Sequence, residues 1–279
     1  MKILRAALLL LLGSASLAHA APARVVGLGG PVTEIVYALG AGDRLVGADA
    51  SSIYPPAAQQ LPKVGYYRSF SIEGVASLKP DLVLASDQSG PPQALEQLRK
   101  LGSPVVLLPS DPSLEALDQR IMGVARALEI EARGAALVRK IHAELKALPA
   151  HAAKPRVLLV SSHTGKLQGA GGDTAAAAML QLIGATNVLA SQQGYKPLSA
   201  EAAVALRPDV IVTSTLSVES SGSVEAFLAQ PGLGATPAAK GRRVVVMEDL
   251  LLLLGFGPRL PEALRQLQAG IAAKAGGAR

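Results

Sequence analysis

The chain has 279 residues, a net charge of +6, and neither cysteine nor tryptophan. The lack of cysteine excludes disulfides, thiolate metal sites, Cys nucleophiles and a lipid-modified N-terminal Cys. The basic residues are scattered without a run, so the charge gives no support for nucleic-acid binding.

The first twenty residues pair a basic start (Lys2, Arg5) with an apolar run from Ala6 to Leu12 and a small-residue end, Ala18-His19-Ala20. That is the layout of a cleavable secretory signal, with cleavage expected near Ala20. The apolar run is too short to span a bilayer, and no later segment offers a charge-free run of about 20 residues, so an unanchored exported protein is expected. Loss of Lys2 and Arg5 lowers the charge to about +4. The remaining length, about 255 residues, allows two lobes of roughly 110 residues, each able to bury a core.

Val25 to Leu28 is a short apolar run followed by Gly29-Gly30-Pro31 and a periodic stretch to Leu39 that stops at Gly40, which predicts strand, turn and helix. Asp81 to Ala85 and Val105 to Leu108 read as further strands, with a helix from Pro92 to Leu101 between them and Gly102 as its cap. Strands alternating with helices imply a parallel sheet, and their continuous apolar runs imply cover on both faces. From Leu114 to Leu148 the pattern turns helical, with Leu117, Ile121, Val124 and Leu128, then Leu137, Ile141 and Leu145, at helical spacing. A new strand series begins with Arg156 to Val160 and continues at Ile211-Val212 and Val244 to Val246. The expected organisation is an N-terminal α/β lobe (21–122), an interlobe helix (123–150) and a C-terminal α/β lobe (151–279). His142 on that helix and His151 after it are expected to face solvent.

The halves repeat one another. SIEGVASLKPDLVL from Ser71 matches SAEAAVALRPDVIV from Ser199, each reading as a short helix, a Pro-Asp turn and a strand. Glu73 and Glu201 then fall in equivalent first turns, where the helix dipole favours a carboxylate.

Two Rossmann-like lobes joined by a single long helix, with paired Glu-x-x-x-x-Leu-Lys/Arg-Pro-Asp segments, resemble the helical-backbone class of ABC-importer binding proteins. That class carries vitamin B12, ferric siderophores and heme in the periplasm. VGYYRSFSIEG from Val64 to Gly74 is similar to a motif of the heme-binding branch, Val-Gly-Tyr-x-Arg-x-hydrophobic-Ser-x-Glu-Gly. Ser162-His163 with Ala170 to Ala176, and Gly257-Pro258-Arg259-Leu260-Pro261-Glu262-Ala263, also agree with that branch. The resemblance implies a non-enzymatic carrier that binds heme and hands it to an inner-membrane permease dimer. An outer-membrane heme receptor would stand upstream.

By its place in the motif Tyr66 is the candidate axial ligand to ferric heme iron, an established mode of heme ligation. A free phenol ionises near pH 10, so the iron and a nearby cation, Arg68, are needed to favour the phenolate. In an extended segment Tyr66 and Arg68 project to one face and Tyr67 to the other. His163 follows a strand, at the edge where open α/β sheets bind ligands. It is a second iron ligand, the ligand of a second stacked heme, or a loop-end His in an ordinary hydrogen bond. Arg259, after the apolar run Leu250 to Leu254, is the candidate partner of a heme propionate through two hydrogen bonds. Gly171-Gly172-Asp173-Thr174, opening a helix from Ala175, offers backbone N–H groups for the same purpose. The resemblance implies that Glu73 and Glu201 dock on the two permease subunits.

Rival readings are weaker. Gly27-Leu28-Gly29-Gly30 lacks the third glycine of a dinucleotide fingerprint, since Val32 stands there, and Pro31 interrupts the phosphate turn. No Gly-x-Ser-x-Gly elbow occurs, and only three His follow the signal, too few for a multi-histidine zinc site. The nearer competitor is the same fold with a ferric siderophore or cobalamin as cargo.

Overall fold

The computed structural model describes residues 21–149, 154–162, 166–248 and 256–275. The first lobe runs β1 (Val25–Leu28), α1 (Gly30–Ala38), β2 (Leu45–Ala48), α2 (Pro56–Gln59), β3 (Gly65–Tyr66), β4 (Ser69–Phe70), α3 (Ile72–Ser77), β5 (Leu82–Ser86), α4 (Pro92–Lys100) and β6 (Val105–Leu108). Its main sheet is parallel throughout, in the order β2-β1-β5-β6. Two helices follow, α5 (Leu114–Ala127) and α6 (Glu131–Lys146).

The second lobe contains β7 (Arg156–Ser161), β8 (Gln168–Ala170), α7 (Ala175–Leu182), β9 (Thr186–Asn187), β10 (Tyr195–Pro197), α8 (Ala200–Ala205) and β11 (Val210–Ser214). It closes with α9 (Thr215–Glu219), α10 (Val224–Leu228), α11 (Pro237–Lys240), β12 (Val244–Met247) and α12 (Leu260–Ala275). Its sheet has the order β10-β8-β7-β11-β12, with β9 also paired to β7. β7, β11 and β12 are parallel, while β8 is antiparallel to both its neighbours, β7 and β10. This is the expected two-lobed α/β architecture. Among the described residues no helix is long and apolar enough to cross a membrane.

Strand alternation divides the buried residues between separate clusters. Val26, Leu28, Val83 and Ala85 pack under α3 and α4, and Leu158, Val160 and Ile211 pack with Phe227 and Leu233. The opposite faces do not form two private cores. Val25, Leu82 and Leu84 of the first sheet and Val157, Leu159, Val210 and Val212 of the second belong to one cluster, together with side chains of α1, α5, α6, α7 and α12. The hydrophobic contribution, about 1.5–3 kcal/mol for each large side chain fully buried, therefore ties the lobes together.

The expected single helix over 123–150 is two helices. α5 ends in a Schellman turn, in which Ile130 N–H donates to the Ala125 carbonyl (2.8 Å) and Glu129 N–H to that of Arg126 (3.1 Å). Glu129 takes the left-handed conformation usually given to glycine, with φ 58°. α6, about 24 Å long at 1.5 Å per residue, packs along α5 and touches α12.

The sequence repeat is also a structural repeat. Ser71 and Ser199 cap α3 and α8 by accepting from the N–H groups of Gly74 (2.9 Å) and Ala202 (3.1 Å). Lys79 and Arg207, each preceding a proline, both take positive φ, 47° and 43°. Asp81 then accepts from Arg24 N–H (3.0 Å), and Asp209 from Arg156 N–H (2.9 Å). The guanidinium groups of Arg24 and Arg156 donate to the helix-end carbonyls of Leu78 and Leu206 (2.7 and 2.8 Å).

Candidate ligand-binding cleft

A cleft of ≈ 320 Å³ lies between the lobes, within the usual range of small-ligand sites, about 300–1,000 Å³. The first lobe and α5 contribute Gly29, Gly30, Ser51, Tyr67, Arg68, Ser86, Gln88, Ser110 and Arg120, and the second contributes Asp173, Thr174, Ala175 and Tyr195. β1 and β5 both point their carboxyl ends at it, as open parallel sheets do at ligand sites.

Asp49, just past β2, organises the first lobe's side of the cleft. Its side chain is fully buried. It accepts from Gly29 N–H (2.9 Å), Ser51 N–H (2.9 Å), the hydroxyls of Ser51 and Ser52 (both 2.7 Å) and Tyr67 N–H (3.3 Å). One carboxylate thus holds the β1–α1 turn, the β2 loop and the tyrosine segment together. The turn needs glycine, since Gly29 sits at φ 119° and a Cβ on Gly30 would lie 2.7 Å from the Ser51 carbonyl oxygen.

Tyr66, Tyr67 and Arg68 sit at a tight hairpin. Tyr66 pairs with Ser69, so Tyr67 and Arg68 form a two-residue turn. The alternation expected of an extended strand stops at Tyr66, and the cleft is lined by Tyr67 and Arg68 rather than by Tyr66 and Arg68. Tyr66 is 42% exposed, and its ring lies against that of Tyr67 with centroids 4.6 Å apart. Burial pushes the Tyr67 phenol up to about 12, with the neighbouring Tyr66 adding to the shift. Arg68 lies over the Tyr67 ring at 5.2 Å and donates to the Gln88 side-chain oxygen.

Across the cleft, Thr174 caps α7 by accepting from Ala177 N–H (3.2 Å), and Asp173 accepts from Gly194 N–H (2.6 Å). The N–H groups of Gly171, Gly172 and Thr174, expected to be open to an anion, are already donated to the carbonyls of Gly194, Gln192 and Gly171. Asp173 and Thr174 both line the cleft. Burial raises the Tyr195 phenol to about 12, against a hydrogen bond with Thr174 that lowers it.

Arg120 of α5 is 3% exposed. Its Nε donates to the Pro109 carbonyl (2.5 Å) and its Nη1 to that of Phe256, so it links α5 to the second lobe. Its Nη2 is buried without a hydrogen-bond partner among the described residues. An unpaired buried donor costs about 1–3 kcal/mol. Burial lowers the guanidinium to about 10, with Asp87 and Asp111 opposing the shift, so it stays cationic at neutral pH.

Arg259 lies elsewhere. Its guanidinium bonds Glu34 of α1 (3.1 Å) and Glu248 (3.2 Å) and stacks on Tyr54 at 3.5 Å. It borders a separate groove of ≈ 480 Å³ with Tyr37, Tyr54, Lys140, Glu144 and Arg265. The propionate role expected for it meets a guanidinium already shared between two carboxylates. Burial raises Glu34 above its ordinary value, while Arg259 pulls the other way.

His163, His151 and the run Leu250 to Leu254 lie outside the described residues. His142 is half-exposed and bonds Asp118 at 2.8 Å. Glu73 and Glu201 are both exposed, in the first turns of α3 and α8. Bonds from its own backbone N–H and the Ser199 hydroxyl hold the Glu201 carboxyl low.

Asp49, Tyr67, Arg120 and Tyr195 were not among the residues expected at the site. Arg120 carried a signal, as the one charge among Leu117, Ile121 and Val124 on an apolar helix face. Asp49 carried another, as an acid followed by Ser51-Ser52 at the end of a strand.

Solved structures share this architecture, and curated proteins share part of the sequence. Periplasmic heme-binding protein BhuT, solved in complex with two hemes, is 43% identical with TM-score 0.85, covering 90% of this chain and 98% of its own. Periplasmic heme-binding protein RhuT from Roseiflexus sp. RS-1 is 39% identical with TM-score 0.85 and the same coverage. The ABC transporter substrate-binding lipoprotein YvrC of Bacillus subtilis is 32% identical over 90% of this chain and 80% of its own length. A vitamin B12-binding protein of Yersinia pseudotuberculosis is 31% identical over 75% of this chain and 76% of its own. Residues 25–250 match the periplasmic binding protein family along both lobes, and the chain belongs to that family.

Proposed function

We propose that this protein is a periplasmic heme carrier that delivers its cargo to an ABC importer permease. The observation that carries the reading is the Tyr66-Tyr67-Arg68 hairpin, fixed by Asp49 at the edge of an interlobe cleft. The heme-binding proteins BhuT and RhuT support it, at 43% and 39% identity. Heme offers ferric iron and two carboxylates, and the hairpin offers a phenol and a guanidinium. Of the two phenols Tyr66 is the better iron ligand. It is 42% exposed, whereas Tyr67 is raised to about 12 by burial and gives up its proton less readily than a free phenol. His163 is the proposed second ligand, on this heme or on another. Export, cleavage near Ala20 and docking through Glu73 and Glu201 belong to the same proposal, supported by the family and by the repeat that exposes both glutamates.

Titration of the purified protein with ferric heme tests the reading. A shifted Soret band with the high-spin charge-transfer bands of Tyr ligation is expected. Tyr66→Ala should weaken binding roughly tenfold or more beyond Tyr67→Ala, equivalent to about 1.4 kcal/mol. Equal losses would reject Tyr66 as the ligand. The 31% identity to a vitamin B12-binding protein favours one alternative, the same cleft carrying cobalamin. An unchanged heme spectrum with saturable cobalamin binding would establish it.

A further inference from the structure

Arg120 has three observations that no role described so far explains together. It is a cation on the apolar face of α5, it is almost wholly buried, and it lines the interlobe cleft. Two of its donor atoms are engaged, Nε by the Pro109 carbonyl and Nη1 by the Phe256 carbonyl, which fixes the guanidinium plane between the lobes. The third, Nη2, is buried with no acceptor among the described residues. Asp87 and Asp111 are near enough to act on its charge, yet neither forms an ion pair with it. A fixed guanidinium that lacks one partner and has shed its water is built for a carboxylate or a similar anion.

We infer that Arg120 is the anion anchor of the cleft, its Nη2 donating to a carboxylate of the cargo. The inference rests on the heme reading, in which that carboxylate is a porphyrin propionate. Arg68 and Arg120 then divide the work: Arg68 is exposed and engaged with Gln88 and Tyr67 at the hairpin, and Arg120 lies inside. Because Nη2 is screened by its neighbours, the carboxylate reaches it as the cleft lining yields. The same guanidinium touches the second lobe through Phe256, so cargo binding and interlobe contact meet at one side chain.

The test compares ferric heme with its dimethyl ester, identical except that both carboxylates are masked, in spectrophotometric titrations of wild type, Arg120→Lys and Arg120→Gln. Wild type is expected to bind heme about tenfold more tightly than the ester, the size of one charge-assisted hydrogen bond. Arg120→Gln should bring that ratio close to one, and Arg120→Lys should keep part of it. A purely structural role, through Pro109 and Phe256, would weaken both porphyrins alike and leave the ratio unchanged, which would overturn the inference. Circular dichroism and melting of each variant identify any that fails to fold, and Arg120→Lys, which keeps the charge, then decides. Wild type that binds heme and ester equally would reject the anchor while leaving the heme reading intact. Wild type that binds neither would reject both.

Discussion

Asp49 shows how one buried carboxylate can set a binding surface. Five donors converge on it from three separate loops, so its cost of burial is offset by hydrogen bonds to the charged form. Asp49→Asn replaces one acceptor oxygen with an NH₂ facing donors, and we expect a loss of about 2–3 kcal/mol in denaturant unfolding. The hairpin should also loosen, weakening heme binding in the same variant. The sequence showed only part of this residue's role: Ser51 and Ser52 beside it were a local signal, while the donors that tie it to the β1–α1 turn and the hairpin, Gly29 and Tyr67, stand 20 and 18 residues away. Tyr66 and Arg68 were legible through the motif, but which phenol lines the cleft was not. The two-residue turn at Tyr67-Arg68 reverses the chain where strand alternation would have continued. Arg259 shows a contact the sequence could not reveal: a cation after a glycine loop has the right chemistry for a propionate, and here it bonds Glu34, 225 positions earlier.

At the level of elements, most strands and helices follow from their local sequence. The apolar runs at Val25, Leu82, Arg156 and Val210 became the central parallel strands, and Pro92 and Gly102 bracket α4 as their backbone preferences dictate. The break between α5 and α6 was not legible. Helical periodicity runs through it, and the left-handed position is filled by Glu129 rather than by glycine. The repeated caps lead to a paired expectation. Ser71→Ala and Ser199→Ala should each cost about 1 kcal/mol by chemical denaturation, through the lost bonds to Gly74 and Ala202. A clear inequality between them would show that the two copies carry different loads.

For the whole molecule, the ion pair of Arg259 with Glu34 fastens the start of α12 to α1. The folded-state pKa of Glu34 is raised above its ordinary 4.5, chiefly by burial, so the folded state holds this proton more tightly than the unfolded chain. Its contribution to stability is greatest below 4.5 and is lost as pH rises from there through the raised value. Glu34→Gln should remove that decline, so the difference in unfolding free energy between variant and wild type should change across this window. A difference that stays flat in pH would mean that Glu34 titrates normally. The shared core carries a second expectation. Since Val25 of one sheet and Val157 of the other lie in one cluster, calorimetry should record one unfolding transition, with calorimetric and van't Hoff enthalpies in agreement.

That undivided core also bears on kinetics. Swinging the lobes apart as rigid bodies would tear apolar surface out of a packed interior and break the links at Arg120 and Arg259, an expensive motion. Fewer bonds oppose a movement of the two-residue turn that carries Tyr67 and Arg68, chiefly those of Tyr67 N–H to Asp49 and of Arg68 to Gln88. On the proposed carrier reading, residence time would depend on that turn, and a membrane partner gripping α3, which directly follows the hairpin, would hold the part of the molecule that sets the dissociation rate.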